Sequence, residues 1–370
     1  MPKPVETVPR SKVIDVVVIG AGQSGLAAGY FLKQAGADFL IVDRERRVGQ
    51  MWRNRYDSLV LITPRELNGL PGMLMPGDPA GRPAASEFAD YLETYAKAFD
   101  LPVKFGVRVD RVTQTADGFF TLVIPNHPII RARNVVLAFG TYPGAALPPM
   151  RKDFSPKVAQ FHTYNYGNPK NVPPGTVLVA GDGAAGREIA AELAATHEVF
   201  LATGRPRVVL PERFLGKTMW WWLGKLGVYK VRKFKPNRPR IDFIPTSVPE
   251  KEALVDLGVK WKPRLITASG NVVTFSDGSQ ATVRSVVWAL GHLLDTRWID
   301  IPAAKDSAGH FLMDQGVSPV PGLFFLGRPH QASASSGLIM GVGRDAEFVV
   351  GKIPLHNAPR EKTAPAVLAS

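Results

Sequence analysis

The chain has 370 residues, enough for two or three domains, and its shares of hydrophobic residues (45%) and charged residues (21%) are typical of a globular protein. It contains no cysteine, which excludes disulfides, thiolate metal sites and thiol nucleophiles. The formal net charge is +13, no apolar run reaches the roughly 18 residues of a membrane span, and the N-terminus lacks the apolar core of a secretory signal, so we expect a cytoplasmic protein without a transmembrane segment or a metal site.

The first predicted elements, in residues 13–43, are a strand, a glycine turn, a helix and a second strand. "VIDVVVIG" is a continuous apolar run of the kind that forms a parallel strand covered on both faces. Gly20, Gly22 and Gly25 follow it with GxGxxG spacing, and the helix is predicted to end at Gly36. Such glycines permit a tight bend, close approach of the backbone to a pyrophosphate, and close packing of helix on strand.

Asp43, which lies 18 residues after Gly25, closes the second strand. A carboxylate at this place can accept hydrogen bonds from ribose hydroxyls, while the helix N-terminus and its N–H groups hold the phosphates. Strand, glycines, helix, strand and acid in one register therefore predict a dinucleotide site rather than a purely structural turn.

The stretch up to residue 168 begins with a loop rich in proline and glycine. A helix is predicted from near Ser86, with one apolar face formed by Phe88, Tyr91, Leu92, Tyr95 and Phe99. The alternating segments "VKFGVRVDRVTQT" and "GFFTLVI" predict an antiparallel meander. "NVVLAFGTY" predicts a return to a buried strand, which is followed by Gly140.

A second fingerprint, "VLVAGDGAAGREIAAEL", repeats the strand, glycine turn and helix, with Gly181, Gly183 and Gly186 in the same register. No carboxylate stands 18 residues after its last glycine; the local residues are Thr203, Arg205 and Arg207. An acid would repel a ribose 2′-phosphate, whereas an arginine can pair with it. The segment therefore favours NADPH over NADH. The alternative is that both arginines are solvated loop residues and that NADH is the coenzyme.

The segment Lys217–Arg240 holds eight basic residues and no acid, and three consecutive tryptophans, Trp220 to Trp222, lie near its start. It could be a peripheral membrane-surface patch, a basic rim that attracts anionic ligands, or a solvated basic hairpin above packed tryptophans. No nucleic-acid-binding motif accompanies the charge, so we expect no nucleic-acid partner.

The remaining elements are a hairpin, "NVVTFSDGSQATV", and then "SVVWALGH", which resembles "NVVLAFGT" and contains Gly291. A strand, a loop and a helix follow, with Gly327 after the strand and Ser336 and Gly337 before the helix. The N-terminus of that helix can face an anionic flavin edge or simply be capped by its serines.

These elements predict an α/β protein in which a Rossmann-like FAD domain is interrupted by a smaller Rossmann-like NADPH domain. Proline clusters at 143–149 and 169–174 mark a crossing between them. The predicted boundaries are a flexible N-terminus over 1–12, the FAD domain over 13–168 and 283–355, the NAD(P)H domain over 169–282, and a flexible tail over 356–370.

Two dinucleotide sites in one chain indicate a flavoprotein oxidoreductase, because one cofactor stays bound as electron carrier and the other delivers the electrons. The acid of the first site suits the adenosine of FAD, and the second site suits NAD(P)H. The absence of cysteine excludes the reductases that relay electrons through a dithiol pair.

Further motifs resemble those of the flavin-containing monooxygenase family. They are "GAGQSG" with Ser24, "VGQMW" with Gly49 and Trp52, and "YDSLVLITPRELNGLPG". "QFHTYNYGNP" is similar to the end of the family's linker signature FxGxxxHxxxY, with His162 at the histidine position and Tyr166 at the final aromatic. Pro156 and Val158 replace the front of that signature, and the short chain and terminal tyrosine make a Baeyer–Villiger enzyme a less close match.

The resemblance implies that NADPH reduces FAD, that oxygen adds at flavin C4a, and that the resulting hydroperoxide transfers one oxygen atom from O2 to a small sulfide or amine. It places Ile62 where many members carry an asparagine that contacts the flavin edge, which predicts leakage of hydrogen peroxide or a more apolar pocket. His162 is either a proton-transfer residue or a hinge histidine bound to backbone. Motifs and resemblance together predict cofactor contacts at Gly20, Gly22, Gln23, Ser24, Gly25, Asp43, Arg44, Gly49, Trp52, Gly140, Gly181, Gly183, Gly186, Thr203, Arg205, Arg207, Gly291, Gly327, Ser336 and Gly337.

Three alternative functions remain open from the sequence. They are an NAD(P)H oxidase or acceptor reductase that inserts no oxygen, Baeyer–Villiger oxygenation of ketones, and a non-catalytic flavin sensor, which two intact nucleotide sites disfavour. The expected partners are a small-molecule substrate and O2, and the expected state is a monomer or homodimer.

Overall fold

The structure, a computed structural model, describes residues 13–140, 144–204, 207–209, 213–227, 243–244 and 248–356. The predicted flexible N-terminus and residues 357–370 of the predicted tail lie outside this range. His356, the first residue of that tail, is described, and its N–H donates to Asp15 Oδ2 over 3.0 Å.

The helices, in chain order, are α1 Gln23–Gln34, α2 Gln50–Arg53, α3 Ala85–Ala98, α4 Ala184–Ala194, α5 Met219–Lys225, α6 Lys251–Asp256 and α7 Ile339–Val350. The strands, in the same order, are β1 Val13–Ile19, β2 Phe39–Val42, β3 Val103–Lys104, β4 Arg111–Gln114, β5 Phe120–Val123, β6 Ile130–Leu137, β7 Gly144–Ala145, β8 Ala159–His162, β9 Thr176–Ala180, β10 Glu198–Ala202, β11 Val208–Val209, β12 Arg213–Phe214, β13 Lys217–Thr218, β14 Phe243–Ile244, β15 Lys260–Lys262, β16 Leu265–Ser269, β17 Val272–Phe275, β18 Gln280–Thr282, β19 Ser285–Trp288, β20 His292–Leu293 and β21 Leu323–Phe325.

The first sheet has the strand order β3-β2-β1-β6-β5-β4, with β21 also paired to β6. Its centre is parallel: Val17 of β1 lies between Leu40 of β2 and Val135 of β6. β1 is buried on both faces, as its unbroken apolar run predicts. The predicted meander is confirmed for β4, β5 and β6, but β3, at the start of that segment, pairs parallel with β2 instead.

Helix α3 confirms the helix predicted from near Ser86 and covers this sheet together with α1 and α7. Its predicted apolar face is buried at Phe88, Tyr91, Leu92 and Tyr95. α1 ends close to Gly36, whose φ of +65° is in the left-handed region that closes helices. The apolar spacing thus predicts α3, and the conformational freedom of Gly36 accounts for the end of α1.

The second sheet has the order β15-β10-β9-β19-β8 and is parallel throughout. The predicted boundaries assign β8 and β19 to the FAD domain, but both strands pair in this second sheet, so that prediction is wrong for them. β19 is apolar and buried, and it fills the position beside β9. The predicted hairpin is confirmed as the antiparallel pair β17 and β18.

The two parallel sheets repeat one local arrangement around their glycine turns. β6 lies beside β1 as β19 lies beside β9, and each neighbour ends in an alanine whose N–H bonds back to the first strand: Ala138 to Ile19 O over 2.9 Å and Ala289 to Ala180 O over 2.8 Å. The similarity of "NVVLAFGT" and "SVVWALGH" thus reflects an equivalent place in two nucleotide-binding units.

Candidate functional site

The first glycine turn joins β1 to α1, allows two close approaches within the protein and leaves one glycine open to a cavity. Gly20 has a φ of +110°, and a Cβ there would lie 2.5 Å from the carbonyl oxygen of Ala138. A Cβ on Gly25 would lie 1.8 Å from the carbonyl oxygen of Gly20, so α1 packs directly on the turn. Gly22, by contrast, has no atom within 4 Å of its Cβ position, and it lines an open cavity.

This cavity, of about 1080 Å³, follows the carboxyl ends of the parallel strands of the first sheet. Such a volume is at the upper end of the roughly 300–1,000 Å³ typical of small-molecule sites. The predicted residues that line it are Gly20, Gly22, Gln23, Ser24, Asp43, Arg44, Trp52, Gly140, Gly327 and Gly337. Residues from five distant parts of the chain are therefore brought to one space.

Asp43 is held at the end of β2 by two backbone donors. Its Oδ2 accepts from the Ala21 N–H over 2.6 Å, and its Oδ1 accepts from the Glu45 N–H over 2.8 Å. These bonds fix the carboxylate against the glycine turn and keep it at the cavity wall, where it can also accept from a hydroxyl of a ligand.

Three predicted contact residues do not line the cavity. Gly25 serves the packing described above. Gly49, with a φ of +75°, lies where a Cβ would meet Ala89 of α3 at 2.7–2.9 Å, so its smallness also serves packing. Ser336 is buried next to Gly337, and its Oγ accepts from the N–H groups of Ala332 and Ser333 over 3.0 Å.

The cavity wall also contains residues that the sequence did not predict. These are Arg55, the segment 107–111 after β3, and Asp295, Arg297, Trp298 and Asp300 before the C-terminal strand. Arg111 donates from Nε to Asp300 Oδ2 over 3.0 Å, which joins the last two groups. No spacing pattern in the sequence identifies these residues as cavity residues. They come together only when β4 contacts the segment before the C-terminal strand.

The second glycine turn reproduces the first almost atom for atom. Gly181 has a φ of +106° and would place a Cβ 2.5 Å from the Ala289 carbonyl oxygen, and Gly186 would place one 1.8 Å from the Gly181 carbonyl oxygen. Gly183 again has nothing within 4 Å. The chain therefore contains two equivalent turns, each with its middle glycine open to the outside.

A second cavity, of about 780 Å³, lies beside this turn and contains Thr203 and Arg207 among its predicted residues. Its unpredicted residues include Arg187, Lys251, Trp261 and Arg264. The three glycines and Gly291 are not among its lining residues, and Arg205 lies outside the described residues.

Asp182, the variable residue inside the second fingerprint, is 3% exposed and holds two arginines. Arg207 Nε donates to its Oδ1 over 3.2 Å, and Arg187 Nη2 lies 3.8 Å from its Oδ2. Arg187 also lies over the ring of Trp261, 5.1 Å from the centroid. The second cavity therefore contains four basic and three acidic side chains, and its one buried carboxylate, Asp182, positions two of its arginines.

The segment around Tyr56, which belongs to the first unit, and the segment that follows β8 both contact α4. Tyr56 donates a short hydrogen bond to Glu188, and Tyr166 Oη donates to Glu192 Oε2 over 3.0 Å. Burial, followed by the Glu188 charge, raises the pKa of Tyr56 well above its ordinary value, and burial raises the pKa of Glu188. Both tyrosines stay protonated, and Tyr56 ties α4 to the first unit.

Arg55 connects the first cavity to this junction. Its guanidinium lies over the ring of Tyr164, 5.1 Å from the centroid, and Tyr164 Oη lies 2.9 Å from Nδ1 of His292. Burial, and next the charge of Arg55, lower the pKa of His292 to about 4, so His292 is neutral near pH 7.

The two predicted catalytic residues line neither cavity. His162 is half-buried at the end of β8, and its Nδ1 accepts from the backbone N–H of Tyr164 over 3.2 Å, the arrangement of a structural hinge. Burial lowers its pKa, which keeps it neutral. The half-buried Ile62 accepts a hydrogen bond at its carbonyl oxygen from Trp220 Nε1 over 3.1 Å.

The described residues contain neither a candidate membrane span nor a candidate metal cluster. None of their helices has both the length and the apolar character required to traverse a bilayer. Within the same residues, no cluster of three or more histidine, aspartate or glutamate side chains forms a candidate metal site.

Comparison with known proteins gives matches that extend over nearly the whole chain. Residues 17–208 match the family model for pyridine nucleotide-disulphide oxidoreductase. An uncharacterized oxidoreductase, CzcO-like, of Geobacillus kaustophilus is 43% identical over 93% of this chain and 99% of its own length. The Arabidopsis thaliana probable indole-3-pyruvate monooxygenase YUCCA9 is 27% identical over 75% of this chain and 74% of its own. The solved structure of a flavin-containing monooxygenase from Stenotrophomonas maltophilia superposes with a TM-score of 0.76. The match has 26% sequence identity and covers 92% of this chain and 98% of the other chain.

Proposed function

The chain belongs to the pyridine nucleotide-disulphide oxidoreductase family and, within it, to the flavin-containing monooxygenases, and from this premise we propose that it uses FAD and NADPH to transfer one oxygen atom from O2 to a small sulfide or amine. It is an enzyme of the flavin-dependent oxidoreductase class. Because the chain has no cysteine, the dithiol chemistry that gives this family its name is excluded for it.

The observation that carries the proposal is the pair of equivalent glycine turns, each beside its own cavity. The first cavity fits FAD: Gly22 leaves open space at the helix N-terminus, Asp43 presents a fixed carboxylate, and a Cβ on Gly327 would lie 2.3 Å from Ser24 Oγ and narrow the space there. The second cavity has Thr203 and Arg207, and no acid, at the end of its second strand, which supports a phosphorylated coenzyme there.

Bound FAD supplies the centre that accepts hydride and activates oxygen. The chain's own residues contribute binding and shielding. Tyr56 holds α4 against the first unit, and the hydrogen bond from Trp220 to the Ile62 carbonyl joins helix α5 to the first unit. Arg55 supplies a positive charge at the inner end of the cavity, where an anionic part of a ligand can be oriented.

A substrate assay separates this proposal from its main alternative. We expect steady-state consumption of NADPH with methyl phenyl sulfide under air to yield the sulfoxide. NADPH consumption that yields hydrogen peroxide and no sulfoxide, across sulfides and amines, would instead support the NAD(P)H oxidase. A lactone or ester from a ketone substrate would support Baeyer–Villiger oxygenation.

Replacing Ile62 with asparagine is expected to raise the ratio of sulfoxide to peroxide by about three- to tenfold. The reason is that an amide offers about one additional hydrogen bond, worth roughly 0.5–1.5 kcal/mol, at the place where related enzymes present one to the flavin edge. Ile62→Leu is the matched control, because it preserves the carbonyl bond to Trp220 and adds no polar group. An unchanged ratio in Ile62→Asn would show that this side chain does not face the cofactor.

Replacing Arg207 with alanine is expected to raise the KM for NADPH about tenfold and to change the KM for NADH less than about twofold. The loss follows from removal of one charge-assisted contact, worth roughly 1.5–3 kcal/mol, to the ribose phosphate. Arg284→Ala, an exposed arginine on the same unit, is the control. Equal effects on both coenzymes would mean that Arg207 only neutralises the buried Asp182.

A further inference from the structure

The segment from β12 to the end of α5 exposes an unusual group of apolar side chains. Phe214 is 54% exposed, Leu215 75%, Trp221 40% and Leu226 73%. Two of them are joined through Trp222, because the rings of Phe214 and Trp221 both lie against its ring, with centroids 6.1 and 4.8 Å away, and the two leucines lie in the same short segment. We call the apolar residues Phe214, Leu215, Trp221 and Leu226, together with Lys217 and Lys225, the tryptophan patch.

An exposed apolar residue of this patch, Leu215, has a strained backbone conformation. Leu215 occupies the turn between β12 and β13 with a φ of +49°, a conformation in which glycine, asparagine and aspartate are much more common. Three quarters of the surface of Leu215 is exposed, so burial does little to offset the cost of this conformation. An outlier of this kind points to a role outside the fold of the chain.

Two lysines lie against the aromatic part of the patch. Lys217 and Lys225 lie over opposite parts of Trp221, with their Nζ atoms 5.8 and 5.5 Å from the ring centroid. Along the sequence, the segment 217–240 adds further basic residues to reach eight, with no acid. An apolar surface ringed by lysine attracts a partner that is both anionic and apolar.

We propose that the tryptophan patch binds the surface of an anionic lipid bilayer. Tryptophan, phenylalanine and leucine enter the boundary between headgroups and acyl chains, while lysines contact the anionic headgroups. The inner side of the same segment is anchored, because Trp220 donates to Ile62 of the first unit and Trp222 Nε1 donates to the Phe214 carbonyl over 2.7 Å. The exposed side is therefore held rigidly outward. The inference does not depend on the proposed reaction.

Other occupants fit the same surface less well. A second copy of the chain would bring two lysine-ringed patches together, which their charge opposes. A nucleic acid would use the lysines but would gain little from Leu215 and Leu226. Variants at the leucines and at the lysines of the patch therefore distinguish a bilayer from a second copy of the chain and from a nucleic acid.

The test is co-sedimentation of the full-length, FAD-loaded protein with vesicles of phosphatidylcholine and phosphatidylglycerol at about 7:3, and with vesicles of phosphatidylcholine alone. We expect binding to the anionic vesicles that weakens at least about tenfold without phosphatidylglycerol. Leu215→Asn combined with Leu226→Ser should lower the partition coefficient at least about tenfold, and Lys217→Glu combined with Lys225→Glu should remove the preference for anionic vesicles.

Matched controls remove the same groups elsewhere on the surface. Leu74→Ser with Leu257→Ser removes two leucines that are 83% and 54% exposed, and Lys152→Glu with Lys157→Glu reverses two exposed lysines. Neither control should change vesicle binding. Leu215→Asn suits the positive φ, so its thermal midpoint should not fall, which separates lost binding from lost fold.

Three results would overturn the proposal. The first is no binding to anionic vesicles, or binding that both patch variants leave unchanged. The second is a dimer in light scattering that Leu215→Asn with Leu226→Ser dissociates, which would assign the patch to self-association. The third is binding of a duplex oligonucleotide that the lysine variant weakens and the leucine variant does not, with vesicle binding unaffected by either.

Discussion

Replacing Gly22 with valine should yield a folded protein that contains almost no FAD. Gly22 has an extended backbone, with φ −78° and ψ −175°, which valine adopts without strain, and no atom lies within 4 Å of its Cβ position. The added Cβ therefore meets no other part of the protein, and the side chain enters the cavity where we propose that the pyrophosphate binds. We expect the affinity for FAD to fall at least about a hundredfold, or about 2.7 kcal/mol.

The measurement is the flavin absorbance of the purified variant, followed by titration with added FAD. Circular dichroism and the thermal midpoint, compared with wild-type protein stripped of FAD, establish whether the fold is kept; loss of a glycine N-cap costs no more than about 1 kcal/mol. A folded variant that retains FAD at the wild-type level would contradict the assignment of this turn to FAD.

The reciprocal replacement, Gly183→Val, should leave FAD bound and abolish its reduction by NADPH. Gly183 has the same extended backbone, φ −68° and ψ −179°, and the same open Cβ position. The side chain should obstruct only the coenzyme. We expect the rate of flavin reduction by NADPH at sub-saturating concentration to fall at least about a hundredfold, whereas dithionite should still bleach the flavin.

Each glycine variant is the control for the other, because the two turns share their geometry. The pair distinguishes the cofactors: Gly22→Val should lose FAD and keep the affinity for NADP⁺, and Gly183→Val should do the reverse. If Gly183→Val lost FAD and Gly22→Val did not, the two assignments would have to be exchanged.

The two glycine turns were predictable because spacing alone determines them. Strand, GxGxxG, helix and strand fix which glycine meets which carbonyl, and the structure repeats those contacts at both turns. Asp43 was predictable for the same reason, since the length of α1 and its loop places the end of β2 beside the turn.

The domain boundaries failed because a short apolar strand does not encode its neighbour. β8 and β19 have four residues each, and only their pairing with each other and with β9 places them in the second sheet. A signal was present: "SVVWALGH" repeats "NVVLAFGT", and since the latter lies beside the first fingerprint strand, the former could have been assigned beside the second.

The cavity residues that the sequence missed belong to segments that meet only in the folded chain. Arg55, the stretch 107–111 and the stretch 295–300 carry no common spacing. Arg207 was predicted at the second cavity, but its contact with Asp182 was not. Asp182 occupies a variable position of the fingerprint, and it comes close to Arg207 only because β10 pairs with β9.

The central claim is that NADPH bound at the second turn reduces FAD bound at the first, and anaerobic titration tests it most directly. The purified protein should be yellow, and addition of NADPH in the absence of oxygen should bleach the flavin absorbance stoichiometrically. A protein that takes up no FAD, or a bound flavin that dithionite bleaches and that neither NADPH nor NADH reduces, would contradict the account.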